Sequence, residues 1–136
     1  MPVQHAAKAI HTMIRVLDEA RSVAFYKGVF GLDIADRVEF DTFTLIYMKN
    51  PTTDFELELT VNKGHSDAYD LGNGYGHMAY LVDDIKAEHA RLLKAGFKAK
   101  DLKQMAHGGK PFADFFFIED PDGYKIEMVQ KGGRFR

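Results

Sequence analysis

Residues 11–32 read HTMIRVLDEARSVAFYKGVFGL and residues 77–97 read HMAYLVDDIKAEHARLLKAGF. The second stretch repeats the first at an offset of 66 residues, from His11 to His77, and the same offset sets Val82 on Val16, Asp84 on Asp18 and Ala90 on Ala24. A one-residue slip then brings Gly96 onto Gly31. One supersecondary unit is therefore used twice in the chain. Each copy opens on an apolar, strand-like stretch (Met13 and Val16; Met78, Tyr80 and Val82), the second with the period of two of a half-buried strand. A helix follows each strand. Asp18 and Asp84 are N-caps by type and position, Val23, Phe25, Tyr26 and Val29 form one apolar helical face, Ile85, His89, Leu92 and Leu93 form the other, and Gly31 and Gly96 are the stops.

Further along each half the pattern turns strand-like. Residues 43–48 and 55–61 in the first half, and 112–118 and 124–129 in the second, are β-branched or aromatic runs bounded by turns at Asn50-Pro51 and Asp120-Pro121-Asp122-Gly123. Each half reads as βαβββ. The fold class expected is α+β, two βαβββ repeats at about residues 9–62 and 75–130 of a single domain over 1–136. Residues 63–75, with Gly64, Gly72, Asn73 and Gly74, read as the linker between the halves. Residues 104–111, containing His107-Gly108-Gly109-Lys110, read as a mobile loop.

Bulk composition narrows the partners. With 18 Lys and Arg against 20 Asp and Glu, a net charge of −2 gives no electrostatic reason to expect nucleic acid or an anionic membrane. No run approaches the roughly 18 apolar residues of a membrane span, and residues 1–10 lack the apolar core of a secretion signal, so a cytoplasmic location is expected. The absence of cysteine rules out disulfides and thiolate metal sites.

The repeat also sets out a constellation. One His opens the first strand of each half (His11, His77), and one Glu lies in the last strand of each half (Glu58, Glu127). A lone His in a strand is usually a hydrogen-bonded or surface residue, and a Glu between two leucines usually marks the solvated face. A solvated face gives no reason for His and Glu to recur together. Two imidazoles and two carboxylates form a borderline-hard donor set that suits Ni, Co, Zn, Mn or Fe with coordination positions left open for water or substrate. Glu56 shares the face of Glu58, whereas His5, His65, His89 and His107 have no repeat partner and read as surface, loop or helix-packing residues.

The segments His11-Thr12-Met13-Ile14-Arg15-Val16, Glu58-Leu59-Thr60-Val61-Asn62, Gly76-His77-Met78-Ala79 and Glu119-Asp120-Pro121-Asp122-Gly123-Tyr124-Lys125-Ile126-Glu127 resemble the four signature segments of bacterial glyoxalase I, the lactoylglutathione lyases of the vicinal-oxygen-chelate superfamily. The full two-His, two-Glu set separates this resemblance from relatives: ring-cleaving dioxygenases and fosfomycin-resistance enzymes show two His and one Glu, and acyl-CoA epimerases show Gln at the position of Glu58. The resemblance implies the glyoxalase/bleomycin-resistance-like fold, with the repeats pairing into curved sheets around a metal site. It implies one divalent ion per site, held by His11, Glu58, His77 and Glu127, with nickel or cobalt preferred for a chain of this short type and zinc as the alternative.

The implied substrate is the hemithioacetal of methylglyoxal and glutathione, and the product is S-lactoylglutathione. A proton leaves the carbon bearing sulfur and returns to its neighbour. A free carboxylate, with a pKa of about 4.3, is too weak a base for such a carbon acid, so metal polarisation must supply most of the acidification. Glu127 is the expected base, and Glu58 is its counterpart for the opposite face. Arg15 and Asn62 fall on the positions that hold the γ-glutamyl end, each four residues beyond its ligand and hence on the same strand face. At the glycyl end the chain departs from the family, with His107 before the Gly-Gly and Lys110 after it; Lys110 is the cation expected there, with Lys100 and Lys103 nearby. The resemblance also implies a homodimer whose sites are shared, His11 and Glu58 of one chain meeting His77 and Glu127 of the other. The competing readings are another metalloenzyme of the superfamily (epimerase, thiol transferase or dioxygenase) and a metal-free binding module of the same fold.

Overall fold

The computed structural model describes residues 5–136, so residues 1–4 of the N-terminal stretch lie outside it. The chain forms two compact units that meet in sequence between Tyr69 and Asp70. The first contains β1 (His11–Arg15), α1 (Glu19–Phe30), β2 (Asp33–Glu39), β3 (Phe43–Lys49) and β4 (Glu56–Asn62). The second contains β5 (Met78–Val82), α2 (Ile85–Lys94), β6 (Lys103–His107), β7 (Lys110–Glu119) and β8 (Lys125–Gln130). Their sheets have equivalent orders, β1-β4-β3-β2 and β5-β8-β7-β6, with β1/β4 and β5/β8 parallel and the other pairs antiparallel. This is the expected α+β, βαβββ architecture in both halves.

The helices begin and end where their residue types dictate. Asp18 accepts from the Arg21 amide at 2.9 Å and Asp84 from the Ala87 amide at 3.1 Å, each satisfying one of the donors that a helix start leaves unpaired. Gly31 caps α1 at φ 65°, a left-handed conformation that costs a β-carbon residue steric strain. The helix faces differ slightly from expectation. In α1, Ser22 is fully buried with Phe25, Tyr26 and Val29, while Val23 is only half buried. In α2, Ile85 and Leu92 are buried but Leu93 is 50% exposed, because the short helix buries a narrower stripe than the expected four-residue face. His89 packs, as its helical position suggests: its ring meets Phe116 edge-on at 4.9 Å and its Nε2 lies 2.8 Å from the Lys100 carbonyl.

Two strands escape the sequence pattern. β2 is exposed at every position, so it carries no apolar alternation; Arg37 forks onto Glu19 of α1 at 2.7 and 3.0 Å. The expected mobile loop at 104–111 is instead a hairpin. β6 is likewise exposed throughout, and His107 pairs with Lys110 across a two-residue turn in which Gly108 and Gly109 have φ 59° and 76°, the consecutive positive values of a type I′ turn.

Strand alternation splits each sheet into a core face and an opposite face. On the core side lie Ile46, Met48, Leu57 and Leu59 in the first unit and Phe116, Ile118, Ile126 and Met128 in the second, all 3% exposed or less. Burying a side chain of this size contributes about 1.5–3 kcal/mol, so the face assignment is strongly determined, and a one-residue register slip would expose the whole set. The opposite face is the one on which Glu58 and Glu127 stand.

Candidate active site

The two halves present their His and Glu in the same register. In the parallel pair β1/β4, Met13 lies opposite Glu58; in β5/β8, Ala79 lies opposite Glu127. His11 and His77 each precede these partners by two residues and so share their face. His77 stands just ahead of β5 rather than within it. The side chains converge accordingly: His11 Nε2 is 3.6 Å from Glu58 Oε1, and His77 Nε2 is 3.3 Å from Glu127 Oε1. Donors bound about 2.1 Å from one ion stand about 3.0 Å apart at right angles and about 3.4 Å apart in a tetrahedron. Each pair therefore has the spacing of neighbouring ligands. The donor chemistry fits a divalent ion, with neutral imidazole nitrogens beside carboxylate oxygens.

Glu58 is not on a solvated face, since only 8% of the residue is exposed. Glu127 is half buried, and both imidazoles retain access to solvent. Among the described residues no three His, Cys, Asp or Glu side chains come together, so each unit offers a two-donor fragment of the expected four-ligand set. Glu56 lies opposite His11 in the ladder, on the same face, but the short His11 contact is made by Glu58.

Aromatic residues flank each pair. Tyr47 lies directly opposite Glu58 on β3, and Phe117 directly opposite Glu127 on β7. The Tyr47 ring meets His11 at 6.0 Å and the Phe117 ring meets His77 at 5.1 Å, both edge-on. The Tyr47 hydroxyl donates to Glu58, and that bond, followed by desolvation, pushes the phenol up to about 12. The repeat alignment did not single out these aromatics; the signal available was their strand position, 11 residues before Glu58 and 10 before Glu127.

Arg15 lies on the His11 face, opposite Thr60, and is exposed. Asn62 donates to the Tyr69 hydroxyl at 3.1 Å. Lys110 stands at the hairpin turn, seven residues along β7 from Phe117, about 23 Å at the rise of an extended strand. Other lysines line a cavity with His77. A cavity of about 730 Å³ in the second unit is lined by His77, Phe117, Lys100, Lys103, Lys125 and Glu119, among others. The signature turn before Glu127 is built around Asp120, which is 5% exposed and whose Oδ1 accepts from the amides of Asp122 and Tyr124 at 2.9 Å.

Residues 8–128 match the family model described as the glyoxalase/bleomycin resistance protein/dioxygenase superfamily. The chain is 38% identical to a probable lactoylglutathione lyase of Synechocystis over 92% of this chain and 96% of that one. It is 39% identical to the lactoylglutathione lyase of Neisseria meningitidis, with 91% of each chain covered. Among solved structures it superposes on the trypanothione-dependent glyoxalase I of Leishmania major with a TM-score of 0.74 and 32% identity, over 92% of this chain and 87% of that one. It also superposes on glyoxalase I of Zea mays with a TM-score of 0.79 and 29% identity, over 93% of this chain but 45% of that longer one. Matching fold, near-complete coverage and two His–Glu pairs in equivalent register lead to one conclusion: the chain belongs to the glyoxalase/bleomycin resistance protein/dioxygenase superfamily, among its lactoylglutathione lyases.

Proposed function

We propose that the chain isomerises the methylglyoxal–glutathione hemithioacetal to S-lactoylglutathione, the methylglyoxal-detoxifying reaction of a lactoylglutathione lyase. The observation that carries this reading is the pair of His–Glu contacts at 3.6 and 3.3 Å in matching register, on a chain 38–39% identical to lactoylglutathione lyases over nine-tenths of its length. A four-ligand site is completed when His11 and Glu58 of one protomer meet His77 and Glu127 of its partner in a homodimer. His11, Glu58, His77 and Glu127 would hold a divalent ion there, and such an ion would supply Lewis-acid polarisation of the substrate without a change of oxidation state. Glu127 takes the proton from the carbon bearing sulfur and returns it to the neighbouring carbon, while the hydroxyl proton passes from the first carbon's oxygen to the second's, so that no proton or electron is consumed overall. Glu58 remains in place as a ligand or serves the opposite face.

Arg15 and Asn62 hold the γ-glutamyl end, and lysines take the glycyl carboxylate. Lys110 is the candidate from the sequence; Lys100, Lys103 and Lys125 line the cavity at His77 beside Asp101 and Glu119, an excess of one cation that favours an anionic thiol adduct. A cytoplasmic setting, where glutathione is the abundant thiol, suits this chemistry. Nickel or cobalt is the preferred metal, since the connections at residues 40–42 and 50–55 are short, as in the nickel- and cobalt-preferring type rather than the insertion-bearing zinc type. The test is thioester formation from methylglyoxal and glutathione by stripped protein reloaded with each metal. Highest turnover with nickel or cobalt is expected. Zinc outperforming both would overturn the metal preference, and no thioester with any divalent ion would overturn the activity.

A further inference from the structure

The repeat makes Glu58 and Glu127 equivalent in backbone position, yet the residue across the ladder from each is different. Tyr47 faces Glu58 and Phe117 faces Glu127, on β3 and β7 respectively. Both rings play the same packing part, edge-on to the neighbouring imidazole. Only Tyr47 carries a hydroxyl, and its place directly across the ladder from Glu58, with its ring against His11, puts a donor on the face of the Glu58 carboxylate. Burial follows the same asymmetry, with 11% of the Glu58 side chain exposed against 18% for Glu127. A phenylalanine has no donor with which to hold a carboxylate.

We propose that Tyr47 is a positioning residue that tethers Glu58 as the stationary carboxylate, and that Phe117, by lacking a hydroxyl, leaves Glu127 free to move away from its imidazole neighbour and carry the proton. This inference rests on the ligand and base roles given above and adds the physical reason that two repeat-equivalent carboxylates have unequal tasks. A hydrogen bond to a ligating carboxylate orients it, and loss of such a partner typically weakens metal binding by about 10- to 100-fold. An added hydroxyl opposite the base would hinder its movement instead.

Two isosteric substitutions test the tether from opposite sides. Tyr47→Phe is expected to weaken nickel binding, measured by chelator competition on stripped protein, by about tenfold. Phe117→Tyr is expected to lower kcat by about tenfold or more with KM nearly unchanged and nickel affinity equal to or tighter than the parent's, a split that loss of packing would not produce. Nickel affinity of Tyr47→Phe within about threefold of the parent's overturns the tether, as does a parental kcat in Phe117→Tyr; weaker binding in the first together with lower kcat in the second carries it. Glu58→Gln separates the two levels of failure. Parental nickel affinity in that variant removes the ligand assignment itself and the tether with it, whereas weakened binding there beside parental binding in Tyr47→Phe removes only the tether.

Discussion

A complementation experiment gives a numerical test of the shared site. One chain carries His11→Ala with Glu58→Gln and retains the His77–Glu127 pair, 3.3 Å apart; the second carries His77→Ala with Glu127→Gln and retains the His11–Glu58 pair, 3.6 Å apart. Each variant alone keeps two of four donors at every site and is expected to be inactive. If a site takes its first-half pair from one protomer and its second-half pair from the other, a heterodimer has one site with all four donors and one with none. A purified heterodimer then shows about half the parental activity, and an equimolar co-expression with random pairing, in which about half the dimers are mixed, shows about a quarter. A site closed within one chain predicts nothing in either case, because every chain lacks one pair. The assay follows thioester formation by near-ultraviolet absorbance, with the heterodimer isolated through two different affinity tags. Verified heterodimers without activity would refute the shared-site geometry, and so would a monomer that turns over substrate.

Glu127→Gln is expected to retain the fold while losing several orders of magnitude in kcat, and Glu56→Gln to keep near-parental turnover; circular dichroism and steady-state kinetics check both, and a fast Glu127→Gln enzyme removes that residue from the chemistry. Asp120→Ala leaves the amides of Asp122 and Tyr124 without their buried acceptor, costing about 2–5 kcal/mol in urea unfolding, and Asp120→Asn, which keeps an oxygen, recovers part of the loss; parental stability in the alanine variant counts against this account of the turn. Burial pushes Tyr80 up to about 12 from its ordinary 10, so the folded state holds the proton more tightly than the unfolded chain. The stability this contributes is present in full below pH 10 and is lost as pH rises toward 12, a decline of about 1–3 kcal/mol that Tyr80→Phe should flatten in alkaline denaturation and that an unchanged slope would contradict.

Local chemistry was enough to read much of this protein from its residues. Asp18, Asp84, Gly31 and Gly96 mark helix ends because capping and positive φ depend on residue type and immediate neighbours. The duplication follows from spacing, and alternation along a strand sets Arg15 on the His11 face and Asn62 on the Glu58 face; that His11 meets Glu58 and His77 meets Glu127 comes from the β1/β4 and β5/β8 ladders. Exposed strands were beyond this reading. β2 and β6 bury nothing, so periodicity has no signal there, and their place comes from ladder bonds to β3 and β7. The difference between the two carboxylates was hidden for a related reason. Tyr47 and Phe117 are distant in sequence from the Glu residues they face, and only antiparallel register brings a hydroxyl to Glu58 and none from Phe117 to Glu127. Long-range pairing depends on which strands share a ladder, a property that tertiary structure alone decides.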